Sequence, residues 1–198
     1  MALGTRPVVV ADSDVLYKSA VRDFVFEFAI AEKIRLHWST ETHSEVLKNL
    51  QLADLRFEST FSRNSSHLVR AFPDTLVSSE PAHDLPDVHA KDVHVAQAAI
   101  ELQASVILTF NLKDFSPSEH LSRAHISVLT PDLFFGAMYR SDELAFLQTV
   151  GRLLKDFRNP PMTGSDFARF LEKAGCPAIS SILRDENQVL SQLSSELG

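Results

Sequence analysis

The sequence predicts an α/β body built on a mainly parallel sheet, followed by a helical tail. Residues 92–115 contain an amphipathic helical pattern that passes directly into a short apolar run, which is half of a βαβ unit. Two further short apolar runs, at residues 7–11 and 126–129, are each followed by a helical pattern. Strand patterns then stop and only helical ones continue. We therefore predict a body over residues 1–139 and a helical extension over residues 140–198.

The composition fits a globular protein and favours a cytoplasmic location. Of the 198 residues, 44% are hydrophobic and 23% are charged, as in ordinary globular domains. No apolar run is long enough to span a bilayer. Two aspartates interrupt the short apolar run near the N-terminus, which argues against a signal peptide. The only cysteine, Cys176, excludes an internal disulfide and any cysteine-rich zinc site.

The net charge narrows the possible function classes. A formal net charge of -7 argues against a general basic surface for nucleic acid. Carboxylates gathered in a metal site would account for part of that charge, because a bound cation neutralises them. The charge therefore disfavours a plain nucleic-acid binder more than it disfavours a metal-dependent nuclease.

Apolar runs and helical stripes place the first elements of the body in order. Apolar side chains at steps of three and four predict helices, and short runs rich in β-branched residues predict buried strands. Residues 78–91 contain two prolines, three acids and two histidines without periodicity, and we predict a loop there. The N-terminal elements are a strand at 7–11, a helix at 16–31, an extended piece at 34–38, helices at about 41–55 and 57–71, and a short strand at 75–77.

The second half of the chain continues the alternation and then becomes helical. A helix begins near Asp92, and residues 105–108 form a buried strand after it. The strand at 126–129 leads into Thr130-Pro131, a capping residue followed by a proline at the first helical position. The tail elements are a helix at about 144–157, a helix that begins with the capping-box pattern at 163–166 and ends near Gly175, and one last helix up to residue 198.

A set of polar side chains is predicted to meet at the carboxyl edge of the sheet, where the ligand sites of open α/β sheets lie. Some directly follow predicted strands, and others begin helices that start from the same edge. Taken singly, the acids have structural explanations as helix caps, as charges that suit the helix dipole or as turn residues. Several carboxylates at one edge repel each other, and Mg²⁺ or Mn²⁺, which prefer oxygen ligands, would relieve that repulsion. The residues are Asp12, Asp14, Glu45, Asp92, Thr109, Asn111 and Asp114.

The order of these residues resembles that of the PIN-domain ribonucleases and, within them, the VapC-like toxins of bacterial toxin–antitoxin pairs. The order acid, glutamate, acid and then T-x-N-x-x-D-F is the specific part, and the resemblance covers most of the chain. It implies a PIN fold, a three-layer α/β/α sandwich around a mainly parallel sheet, with a tail similar to that of a longer subgroup. The segments that carry it include VVVADSDVLY, HWSTETHSEVLKNL, KDVHVAQAAIELQASVILTFNLKDF, ISVLTPDLFF and RNPPMTGSDFARFLEKAG.

The resemblance also implies an activity and its residues. It implies cleavage of RNA that depends on Mg²⁺ or Mn²⁺, inhibition by a cognate antitoxin, and a homodimer formed through the PIN body. The four acids that match the family's catalytic and metal-binding positions are, in order, Asp12, Glu45, Asp92 and Asp114.

Three neighbouring residues match supporting positions of the family. Asn111 stands where many members carry an aspartate, which implies weaker binding of a second metal. Asp14 stands where an asparagine is common and would partly compensate, and Thr109 matches a hydroxyl residue beside the site. Basic residues near these motifs would contact RNA phosphates or simply face solvent; they are Lys18, Arg22, Lys91 and Lys113.

Two other readings stay open at the level of sequence. Asp12-Ser13-Asp14 after a strand looks like the nucleophile motif of haloacid-dehalogenase-like phosphatases, but Leu129-Thr130-Pro131-Asp132 offers one acid where that family needs a pair. That family also gives no role to Glu45. A PIN-like module that binds RNA or protein without cutting is the second reading, because Asn111 replaces an acid. The RNA target, the number of metals and the oligomeric state do not follow from the sequence.

Overall fold

The structure is a computed structural model that describes residues 6–78, 84–115, 117–158 and 160–196. The strands are β1 (Val8–Ala11), β2 (Arg35–Ser39), β3 (Leu76–Val77), β4 (Val106–Leu108) and β5 (Ser127–Leu129). The helices are α1 (Ser13–Tyr17), α2 (Ser19–Ile30), α3 (Thr40–Ala53), α4 (Leu55–Ala71), α5 (Val93–Glu101), α6 (Glu119–Arg123), α7 (Pro131–Ser141), α8 (Glu143–Asp156), α9 (Gly164–Ala174), α10 (Pro177–Asp185) and α11 (Asn187–Glu196). Single 3₁₀ turns lie at Pro73–Thr75 and Leu112–Asp114.

The five strands form one parallel sheet in the order β3-β2-β1-β4-β5. Strand β1 lies between β2 and β4, so the strand order along the chain runs in opposite directions on the two sides of β1. Such a switch point is where open α/β sheets bind ligands. Val10 of β1 and Ile107 of β4 pair with each other and are fully buried, which explains why both strands read as continuous apolar runs. The predicted α/β class, with a parallel sheet and C-terminal helices, is confirmed.

The described residues divide into two compact units. The sheet unit contains residues 6–17 and 32–130, and the helical unit contains residues 18–31 and 131–196. Aromatic rings form much of the core of the helical unit: the Phe24 ring centroid lies 4.9 Å from that of Phe135 and 5.8 Å from that of Phe146. The boundary after residue 139, between a PIN domain and a helical extension, stays a prediction.

Two helices predicted as continuous are interrupted. The helix predicted over residues 16–31 is split into α1 and α2, because Lys18 has extended backbone angles (φ -78°, ψ 104°). The last helix of the tail is split into α10 and α11 at Glu186, where the backbone leaves helical geometry (φ -91°, ψ 8°). Neither break contains a glycine or a proline, so the sequence pattern carried no signal for it.

The predicted start and end of α9 are confirmed. Thr163 and Asp166 form a capping box at the start of α9, each side chain accepting the other residue's backbone N–H. Gly175 ends α9 in the left-handed conformation that glycine favours, with φ of 97°. None of the helices in the described ranges is both long and apolar enough to cross a membrane. Residues 79–83 of the predicted loop, Asn159 and residues 197–198 lie outside the described residues.

Candidate metal centre

The first part of the site forms where β1 and β4 end side by side. The Asp12 N–H donates to the Leu108 carbonyl at 3.0 Å, so the residues after the two strands leave the sheet together. The Thr109 hydroxyl donates to Asp12 Oδ2 at 2.9 Å and lies 3.3 Å from Asp14 Oδ2. Asp14 Oδ2 also accepts the Phe110 N–H at 2.9 Å. One buried hydroxyl therefore connects two carboxylates.

Asp12 is a buried acid with a strongly shifted pKa. Its residue is 5% exposed, and the pKa of its carboxyl is raised to about 7, with burial as the largest cause. The neighbouring charge of Asp14 also raises this pKa and that of Asp92 does so more weakly, whereas hydrogen bonds from Thr109 and the Ser13 N–H lower it. A carboxyl in this position is either protonated near neutral pH or stabilised as an anion by a cation.

The second part of the site contains Asp92, Asp114 and His89. One ligand atom of each lies within 4.8 Å of the others, and this spacing suits a shared metal ion. Asp92 directly precedes α5, where its charge suits the helix dipole, and its side chain makes no capping hydrogen bond. Its Oδ2 instead lies 3.2 Å from His89 Nδ1. Burial, and then the charge of Asp114, raise the pKa of Asp92.

His89 is the residue that the sequence analysis missed. Its backbone N–H donates to the Asp114 carbonyl at 2.8 Å, and its carbonyl accepts the Asp92 N–H at 2.8 Å. The loop is thus hydrogen-bonded to both acids and sets the imidazole between them. A histidine in a segment without periodicity carries no local signal, because only the folded loop brings it to these carboxylates.

Asn111 and Glu45 complete the predicted set. The Asn111 side-chain amide donates to Asp114 Oδ2, so the neutral residue at this position supports an acid of the site. Glu45 lies in α3 and is not part of the group within mutual reach of a metal; its Oε1 lies 3.5 Å from His94 Nε2. Ser39 caps α3 by accepting the Thr42 N–H at 2.9 Å.

The donor set fits a divalent cation. Carboxylate oxygens of Asp92 and Asp114 converge with the His89 imidazole, and imidazole is a ligand that suits transition ions better than Mg²⁺. Burial and then the charges of neighbouring carboxylates raise the pKa values of Asp12 and Asp92, and a bound cation would offset both effects.

The basic residues predicted near the motifs differ in their availability. Arg22 is 4% exposed, with Nε 3.3 Å from Asp23 Oδ1, and the Lys18 ammonium donates to the Ala174 carbonyl at 2.8 Å. A phosphate-binding role for Arg22 is therefore wrong, because its side chain is buried. Lys91 and Lys113, which adjoin acids of the site in the chain, are exposed.

The Thr109 hydroxyl should contribute measurably to stability. In Thr109→Val the side-chain volume is kept, but Asp12 Oδ2 loses its donor and the Asn111 N–H loses its acceptor at 3.0 Å. We expect urea unfolding at neutral pH to show a loss of about 1–3 kcal/mol, because buried polar groups are left without partners. Thr109→Ser, which keeps the hydroxyl, is the matched control and should lose less. A loss in Thr109→Val no larger than that in Thr109→Ser would contradict a stabilising role of the hydroxyl.

One comparison with known proteins gives a match. Residues 131–185, which span α7 to α10, match the family model of the VapC50 C-terminal domain. No curated protein and no solved structure matches the chain. The match and the parallel α/β sheet together fit a VapC-like protein, and they suggest the ribonuclease family of toxin–antitoxin systems.

Proposed function

We propose that the protein is a metal-dependent endoribonuclease, the toxin of a toxin–antitoxin pair, that hydrolyses RNA phosphodiester bonds with Mg²⁺ or Mn²⁺. The observation that carries the proposal is the gathering of acids at the switch point of the sheet, with Asp12 buried beside Asp14 and connected to it through Thr109. The family match of residues 131–185 supports the toxin assignment.

The proposed roles follow from the contacts of each side chain. Asp12, Asp92 and Asp114 would hold one or two metal ions, and His89 is within reach of the last two. The metal would lower the pKa of the attacking water and neutralise charge on the scissile phosphate. Glu45 would contribute a further ligand or orient that water.

Two residues would support the proposed ligands rather than act on RNA. Thr109 holds Oδ2 of both Asp12 and Asp14, which fixes their carboxylates at the end of the sheet. Asn111 holds Asp114 through its amide. Lys91 and Lys113 are exposed beside these acids in the chain and would contact the RNA backbone.

The proposal includes partners and a location. A cognate antitoxin would hold the nuclease inactive, and the active protein would be a homodimer. The proposed location is the cytoplasm, where the protein would meet its RNA substrate.

The experiment is a cleavage assay on a mixed pool of structured RNAs with Mg²⁺, with Mn²⁺ and with EDTA. The proposal predicts discrete products with either metal and none with EDTA. Cleavage that persists in EDTA would contradict metal dependence. The new ends that cleavage creates should map to internal positions of the RNAs, because the proposed enzyme is an endonuclease.

One observation disfavours the phosphatase alternative. Asp132, the single acid after β5, accepts the Ala178 N–H at 3.1 Å and the Ile179 N–H at 2.9 Å. It therefore caps the start of α10 and already has a structural role. The binding-module alternative predicts that the acids bind no divalent metal.

A further inference from the structure

His94 connects two elements that carry acids of the site. It lies in the first turn of α5, two residues after Asp92, and its side chain is 14% exposed. One ring nitrogen faces the capping residue before α3, and the other faces a residue within α3. Nδ1 lies 2.8 Å from Ser39 Oγ, and Nε2 lies 3.5 Å from Glu45 Oε1.

The contact with Ser39 fixes the orientation of the ring. Ser39 is fully buried, and its hydroxyl is already held by the start of α3: it accepts the Thr42 N–H at 2.9 Å and lies 3.0 Å from Thr42 Oγ1. A ring nitrogen at 2.8 Å from such an anchored oxygen has little freedom to rotate. The second nitrogen is thereby aimed at Glu45.

Glu45 needs such a contact because its own side chain is long and 43% exposed. A half-exposed glutamate loses rotamer entropy when it is held in one position. Nε2 makes no hydrogen bond within the described residues and lies 3.5 Å from Glu45 Oε1, so the contact can guide the carboxylate while leaving its oxygens available for a ligand.

We propose that His94 is a positioning residue that holds the Glu45 carboxylate in a fixed position relative to Asp92. This inference rests on the proposed function, since it presumes that both acids serve one metal-dependent site. The competing explanation is that His94 only packs and that its contact with Glu45 is a surface ion pair of little energetic weight.

The test uses two substitutions that each keep one half of the ring's contacts. In His94→Asn the amide occupies the place of Nδ1 and keeps the contact with Ser39. In His94→Gln the amide reaches the place of Nε2 and keeps the contact with Glu45. The readout is the dissociation constant of Mn²⁺ from the full chain, measured by calorimetry, with thermal unfolding of every variant alongside.

We expect His94→Asn to weaken Mn²⁺ binding about 10-fold, as substitutions of residues that orient metal ligands do, and His94→Gln to keep most of the affinity. In a Glu45→Gln background, His94→Asn should cause no further loss, because the residue to be positioned has already lost its charge. A merely structural histidine predicts the opposite: similar effects of both substitutions, and the same loss in either background.

The outcomes separate this inference from the function on which it rests. Mn²⁺ binding that Asp92→Asn removes, but that His94→Asn leaves at the parent's affinity, overturns the role of His94 and keeps the metal site. Absence of Mn²⁺ binding by the parent overturns both. An unchanged unfolding temperature in His94→Asn, together with weaker Mn²⁺ binding, is the result that the positioning role predicts.

Discussion

Asp92→Asn is expected to lower metal-dependent RNA cleavage by about 100-fold or more and to leave the protein folded. The carboxylate makes no capping hydrogen bond to α5, so the substitution removes none from the start of the helix. Asparagine has the same size and no charge, so it removes both the cost of burying a carboxylate and the repulsion from Asp114, which together raise the pKa of Asp92. Loss of activity would therefore come from loss of a charged metal ligand rather than from unfolding.

The matched control for this variant is Asp84→Asn. Asp84 is an exposed acid of the same loop segment, and the substitution changes the net charge by the same amount. We expect it to cut RNA at the parent's rate. If Asp92→Asn also cut at that rate, the assignment of the metal centre would be wrong.

In the absence of divalent metal, the protein should lose stability as the pH rises from about 4 to about 8. The pKa of Asp12 is about 7 in the folded protein, against an ordinary value of 3.8. Below the ordinary value the carboxyl is protonated in both states and contributes no pH dependence. Between the two values only the folded state keeps the proton, so stability falls as the pH rises. Above pH 7 the folded protein holds a buried anion, at a cost of about 4 kcal/mol.

Asp12→Asn isolates this effect from that of the other titrating groups. Urea unfolding in EDTA should find the variant more stable than the parent at pH 8, and the difference should disappear near pH 4. Adding Mn²⁺ at pH 8 should stabilise the parent and not the variant, because a cation offsets the buried charge. A stability difference that stays constant across this pH range would contradict the raised pKa.

The sequence predicted the part of the site that depends on strand order. Buried parallel strands give continuous apolar runs, and residues that follow neighbouring strands must leave at the same edge. Asp12 and Thr109 were expected there for this reason, and they share a hydrogen bond. A structural role for Asp92 at the start of a helix was also considered, and only the folded structure brings its side chain to His89 and Asp114.

The parts that the sequence did not predict depend on long-range contacts or on breaks without a local signal. His89 reaches the acids through backbone hydrogen bonds to Asp92 and Asp114, which no periodicity encodes. The contact of His94 with Ser39 joins residues 55 positions apart. The breaks at Lys18 and Glu186 occur without glycine or proline, the residues that usually mark the end of a helix in a sequence.

The most direct test of the metal centre is a calorimetric titration of the parent and of Asp92→Asn with Mn²⁺ at neutral pH, which needs no knowledge of the RNA target. The account predicts saturable binding by the parent and its loss in the variant. Absence of any binding by the parent would contradict the metal centre and favour a PIN-like module that binds a partner without cutting RNA.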